Sequence, residues 1–135
     1  PFKYATTDSP IVLADGIEAR LIEAEAALQA NNVDGWLGIL NALRAPLGLA
    51  ELTDPGTPEA RVDLHFAERA YWLFLTAHRL GDLRRLVRQY GRSAEQTFPS
   101  GLYKGGPESY GTATHFPVPE AERTNPNFSG CQPRV

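Results

Sequence analysis

Apolar positions recur at helical spacing in four stretches of the chain. Ile17, Leu21, Ala24 and Leu28 make one stripe, and Glu18, Arg20, Glu23 and Glu25 lie mostly off it. Residues 1–8 read as an extended arm carrying Phe2 and Tyr4. Ser9-Pro10 reads as a cap followed by a first-turn proline, and Asn31-Asn32 suits an end. This predicts a helix over 10–31. Asp34 reads as the cap of a second helix over 34–45, with Trp36, Leu40 and Leu43 inside, stopped by Pro46 and Gly48. Thr57-Pro58-Glu59 repeats the start signal for a third helix over 58–80. That helix carries two apolar stripes, Val62, Phe66, Leu73, Ala77 and Leu80 on one face and Leu64, Ala67, Tyr71 and Leu75 on another. Two such faces predict a helix sandwiched between neighbours. Gly81-Asp82 is expected to break it and cap a fourth helix over 82–90, closed by Gly91.

Short polar turns between helices favour antiparallel hairpins. The pattern therefore predicts an all-α fold, a tetratricopeptide-like pair of helical hairpins, although no consensus repeats at a fixed period. Residues 92–135 differ. These 44 residues hold six prolines and five glycines and show no periodic pattern. They also carry Phe98, Tyr103, Tyr110, Phe116 and Phe128, more aromatics than a disordered tail would hold. The reading is a helical scaffold over 1–91 and an ordered, irregular wrap over 92–135 of the same domain.

Composition narrows the function classes. A hydrophobic content of 42% is that of a folded protein, and a net charge of -3 argues against a nucleic-acid binder. No apolar run has the length of a membrane span. The chain has no methionine and begins at Pro1, so it reads as a piece of something longer. Cys131 is the single cysteine and makes neither an internal disulfide nor a paired zinc site; it reads as a free thiol or as the partner of a cysteine elsewhere.

Candidate chemistry is sparse. Trp36 and Trp72 lie in helical stripes and read as core rather than as sugar platforms. Tyr103 and Tyr110, in the Gly-rich loop GLYKGGPESYG, are the candidate ligand-binding residues, against a packing role for the same rings. His65, His78 and His115 do not share a face, so no metal site and no cofactor is expected. His78 reads as a partly buried side chain holding a backbone carbonyl. Arg79, Arg84, Arg85, Arg88 and Arg92 form a basic concentration, read as partners of Asp82 and other acids rather than as a phosphate site. Glu68-Arg69 reads as a structural ion pair. No nucleophile–base constellation or phosphate loop stands in plausible context, so an enzyme is not expected.

Four segments together resemble a family. IEARLIEAEAAL at 17–28, LNALR at 40–44, ERAYWLFLTAHRLGDLRRL at 68–86 and HFPVPEAERTNPNF at 115–128 occur in the order found in the C-terminal half of SusD/RagB-like proteins. Trp72 and Thr76 stand where that family often has acids, and Ala77 where it has Gly, which marks a divergent branch. The resemblance implies the C-terminal part of a bacterial outer-membrane lipoprotein, exposed at the cell surface or to the periplasm. Such a protein is non-enzymatic, binds an oligosaccharide or peptide nutrient and docks on a TonB-dependent transporter. It also implies a lipid anchor and a main ligand surface in a missing N-terminal part, so this piece alone is expected to bind neutral oligosaccharides weakly or not at all. The alternative is a helical scaffold or accessory subunit of another membrane or cell-surface assembly, without ligand binding.

Overall fold

A computed structural model describes residues 3–130. The fold is all-α. Among the described residues the helices are α1 (Gly16–Gln29), α2 (Val33–Arg44), α3 (Pro58–Trp72), α4 (Arg79–Tyr90), α5 (Ala94–Thr97) and α6 (Glu120–Arg123). The chain divides into two compact units, residues 1–79 and 80–135. Phe2 of the expected N-terminal arm and Cys131 lie outside the described residues.

In the first unit α1 and α2 are joined by a three-residue turn and packed on each other, and α3 packs on α1. This is the first predicted hairpin. Asn31 takes a left-handed φ of 55°, as the helix-end reading requires, and the Asn32 side chain caps α2 by accepting from Gly35 N at 3.0 Å. Leu21, Ala24, Trp36, Leu40 and Leu73 form the core, with Ile17, Leu28, Leu43 and Trp72 packed around it. Phe66 is also buried. The indole of Trp36 is fully buried and donates from Nε1 to His65 Nδ1 at 3.3 Å. The proton of the His65 ring then lies on Nε2, which faces Glu25 Oε2 at 3.6 Å.

Several boundaries differ from the sequence reading. α1 begins at Gly16, not Pro10. Asp15 is its cap, accepting from Glu18 N at 2.8 Å, while Ser9 Oγ bonds Thr6. The physical reason is the stripe, which starts only at Ile17; Ile11 and Leu13 are exposed and have nothing to pack on. α3 ends at Trp72, not Leu80. Leu75 and Ala77 have φ of 60° and 65°, outside helical space for residues with a Cβ. Other groups hold this segment. Lys3 Nζ donates to Phe74 O and Tyr4 Oη to Leu75 O, each at 3.0 Å, and Thr76 Oγ1 donates to Leu73 O at 2.6 Å. The expected second buried stripe does not form, and of its members only Leu64 packs against the core. Ala67, Tyr71 and Leu75 are exposed, and the buried face is His65, Phe66, Glu68 and Arg69.

α4, nearly all of it in the second unit, starts at Arg79, so Gly81-Asp82 lies inside a helix rather than breaking one. Asp82 is buried in the first turn, where the helix dipole favours a carboxylate, and accepts from Arg85 Nη1 at 3.2 Å. Leu83 is buried beside it. Among the described residues beyond α4 the chain is largely irregular and largely exposed, with two single-turn α-helices and a 3-10 turn that the pattern did not predict.

Candidate functional site

Arg44 ends α2. The chain then makes a 3-10 turn, Ala45–Leu47, and reverses at Gly48, whose φ of 65° is unstrained for glycine. The returning backbone is fastened to α2 by side chains. Asn41 Nδ2 donates to Leu52 O at 3.1 Å, and its Oδ1 accepts from Leu52 N at 2.8 Å. Arg44 Nε donates to Ala50 O at 2.8 Å. Residues 45–52 thus form a fixed wall rather than a free loop.

The facing wall is the last turn of α3. Glu68 and Trp72 lie four residues apart on one face, and Trp72 Nε1 donates to Glu68 Oε2 at 3.1 Å. Glu68 Oε1 accepts from Arg44 Nη1 at 2.6 Å. The Glu68 side chain is 5% exposed and that of Arg44 18%, so this ion pair is mostly out of water. Burial of a carboxylate is tolerable here because each oxygen has a donor.

Between the walls lies a groove of about 570 Å³ lined by Arg44, Leu47, Leu49, Leu52, Glu68, Tyr71 and Trp72. That volume falls in the range of small-ligand sites, and the mix of leucine, aromatic ring and one oriented polar pair is typical of them. Tyr71 is 78% exposed, and on its other side a second hollow of about 390 Å³ is lined by Ala70, Tyr71 and Phe74. Leu47, Leu49, Tyr71 and Phe74 therefore give this face a concentration of exposed apolar surface.

Sequence reasoning missed this site. It pairs Glu68 with its neighbour Arg69, whereas Glu68 is held by Arg44, 24 residues away. It places Tyr71 in a buried stripe. Trp72 is partly buried: it packs against the core and lines the groove. The available signal is the set of polar residues in LNALR and in the Glu-Arg helix, which interrupt otherwise apolar stretches.

Tyr103 and Tyr110 are brought together, in the second unit. Tyr103 N donates to Glu108 O at 2.6 Å and Tyr110 N to Gly101 O at 2.9 Å, around an isolated antiparallel bridge between Leu102 and Ser109. Lys104 at φ 46° and Gly105 at φ 72° turn the chain. The two rings meet edge to face, centroids 5.3 Å apart. Each ring is roughly two-fifths exposed. One edge is directed at the other ring, so the pair offers no flat double platform.

His78 does not hold a backbone carbonyl. Its Nδ1 lies 2.7 Å from Thr76 Oγ1 and its Nε2 2.9 Å from Glu18 Oε1. The hydroxyl–imidazole–carboxylate order resembles a nucleophilic triad, but the Thr76 proton is directed to Leu73 O, so the imidazole faces an oxygen lone pair. The arrangement is a latch between α1 and the segment after α3. Arg85 pairs with Asp82 as expected, and burial holds its guanidinium below the ordinary value.

Among the described residues no group of three or more His, Cys, Asp or Glu side chains converges to hold a metal ion, and no helix is long and apolar enough to cross a membrane. No family model, no curated protein and no solved structure matches the chain.

Proposed function

We propose that this chain is a non-enzymatic binding and docking module, the C-terminal part of a SusD/RagB-like outer-membrane lipoprotein. In this reading a tetratricopeptide-like helical scaffold contacts a TonB-dependent transporter, and the chain contributes to binding an oligosaccharide or peptide nutrient. One observation carries the proposal: Arg44 from LNALR, and Glu68, Tyr71 and Trp72 from the Glu-Arg helix, converge on one groove. Two of the segments on which the resemblance rests thus meet at a single site with the size and lining of a ligand pocket. The polar groups there neutralise and orient each other, an arrangement suited to holding a neutral molecule rather than to attacking one.

Calorimetric titration of the chain with neutral oligosaccharides and with short peptides tests this. Saturable binding of one class is expected, weakened about ten-fold or more by Tyr71→Ser. Tyr71 is exposed, so this change leaves thermal stability within about 0.5 kcal/mol of the parent. Flat titrations for both classes would remove this groove as a nutrient site and favour the bare scaffold.

A further inference from the structure

The Arg44 guanidinium has a donor to spare. Its Nε is engaged by Ala50 O and its Nη1 by Glu68 Oε1, while Nη2 makes no hydrogen bond among the described residues. Arg44 lines the groove and its side chain is 18% exposed, so the guanidinium is within reach of an occupant. It is also held in place, because two bonds already fix its plane. An arginine at the base of a pocket is usually taken for an anion site. Here its charge is matched by a buried carboxylate 2.6 Å away.

We infer that the groove takes an uncharged, carbonyl-bearing apolar group, such as an apolar peptide segment rather than an oligosaccharide, with its carbonyl oxygen on Arg44 Nη2 and its apolar body against Leu47, Leu49, Tyr71 and Trp72, and discriminates against the carboxylate counterpart. The inference rests on reading the groove as a ligand site. A carboxylate entering it meets a neutral ion pair instead of a free cation, and it lies near the Glu68 carboxylate. It also gives up its hydration, which is costly for an ion in an apolar site. A carbonyl loses far less hydration and still accepts the hydrogen bond. The leucine and aromatic lining supplies the apolar contact, as in small-ligand pockets generally.

Three phenyl probes of similar size separate the possibilities: acetophenone, ethylbenzene and phenylacetate. Each is titrated into the full chain labelled with ¹⁵N, and the indole N–H of Trp72 is followed. That proton bonds Glu68 inside the groove, whereas the indole N–H of Trp36 is buried against His65 and serves as the control. Acetophenone is expected to shift the Trp72 signal saturably and to bind roughly five-fold tighter than ethylbenzene, the preference one net hydrogen bond supplies. Phenylacetate is expected to bind more weakly than acetophenone. In Arg44→Lys, which keeps a cation opposite Glu68 without a guanidinium edge, the ketone preference should fall to about unity while the Trp36 signal stays in place. The three-probe comparison on the unaltered chain stands whether or not that variant folds. Phenylacetate binding tightest would overturn the inference and leave the groove as a ligand site. Failure of all three probes to move the Trp72 signal would overturn both.

Discussion

Replacing Asn41 by alanine removes two hydrogen bonds at once, Nδ2 to Leu52 O and Leu52 N to Oδ1. Both are partly shielded, and alanine leaves the Leu52 N–H and C=O without those partners. At about 0.5–1.5 kcal/mol for each net bond, the expected loss of stability is about 1–3 kcal/mol. The aspartate variant sharpens the test. A carboxylate at this position would keep an acceptor for Leu52 N–H but would set a second oxygen against Leu52 O, where Asn41 now donates at 3.1 Å. Asn41→Asp should therefore be no better than Asn41→Ala, although it is nearly isosteric. Urea unfolding followed by tryptophan fluorescence gives the stabilities. Hydrogen exchange at the Leu52 amide reports the wall itself, which should exchange faster in both variants while the amides of α1 do not. A loss below about 0.5 kcal/mol, with Leu52 protection unchanged, would show that the 45–52 wall does not depend on Asn41.

Other consequences follow from the core and the surface ion pairs. Phe66→Ala should destabilise the chain by about 3–5 kcal/mol, measured by the same unfolding assay, because the ring is buried. Trp36→Phe should cost about 1–3 kcal/mol, since it removes the donor to buried His65 Nδ1 while keeping most of the apolar volume. Arg61 grips Asp54 with Nε and Nη2, both at 2.7 Å, and Gly56 N adds a third donor, so the Asp54 carboxyl is lowered to about 2. A lowered folded-state value means that the pair's contribution is present above the unfolded carboxyl range near 4 and is lost as pH falls through about 2. Titration of the Asp54 carboxyl carbon by NMR checks this, and Arg61→Ala should return the midpoint toward the ordinary range.

The hairpin was legible because its signals are local. Stripe and asparagine turn in 17–44 lie close along the chain to the contacts they make, and the core residues Leu21, Trp36 and Leu40 follow directly, although the cap of α2 is Asn32 and not Asp34. The end of α3 was not legible. Tyr71 through Leu80 keep an apolar spacing that fits a helix, and what breaks it comes from far along the chain: Lys3 and Tyr4 holding the carbonyls of Phe74 and Leu75, and Glu18 holding His78. Such tertiary bonds override propensity without leaving a local mark. The start of α1 failed for the opposite reason. Ser9-Pro10 is a sound local start signal, but it has no apolar face behind it. The groove was hidden because its polar members are 24 residues apart and Glu68 has a nearer apparent partner in Arg69. Tyr103 and Tyr110 lie together as the loop composition suggested, yet in an edge-to-face contact that composition does not specify.

The most direct measurement of the central claim compares two blocking substitutions in one binding assay. Leu49 is 45% exposed on the groove wall, so Leu49→Trp fills the groove without disturbing the core. With any oligosaccharide or peptide that binds the parent chain, calorimetry should show binding lost in Leu49→Trp and retained in Tyr103→Ala and Tyr110→Ala. Binding retained in Leu49→Trp and lost in either tyrosine variant would contradict the account and move the ligand site to the Gly-rich loop.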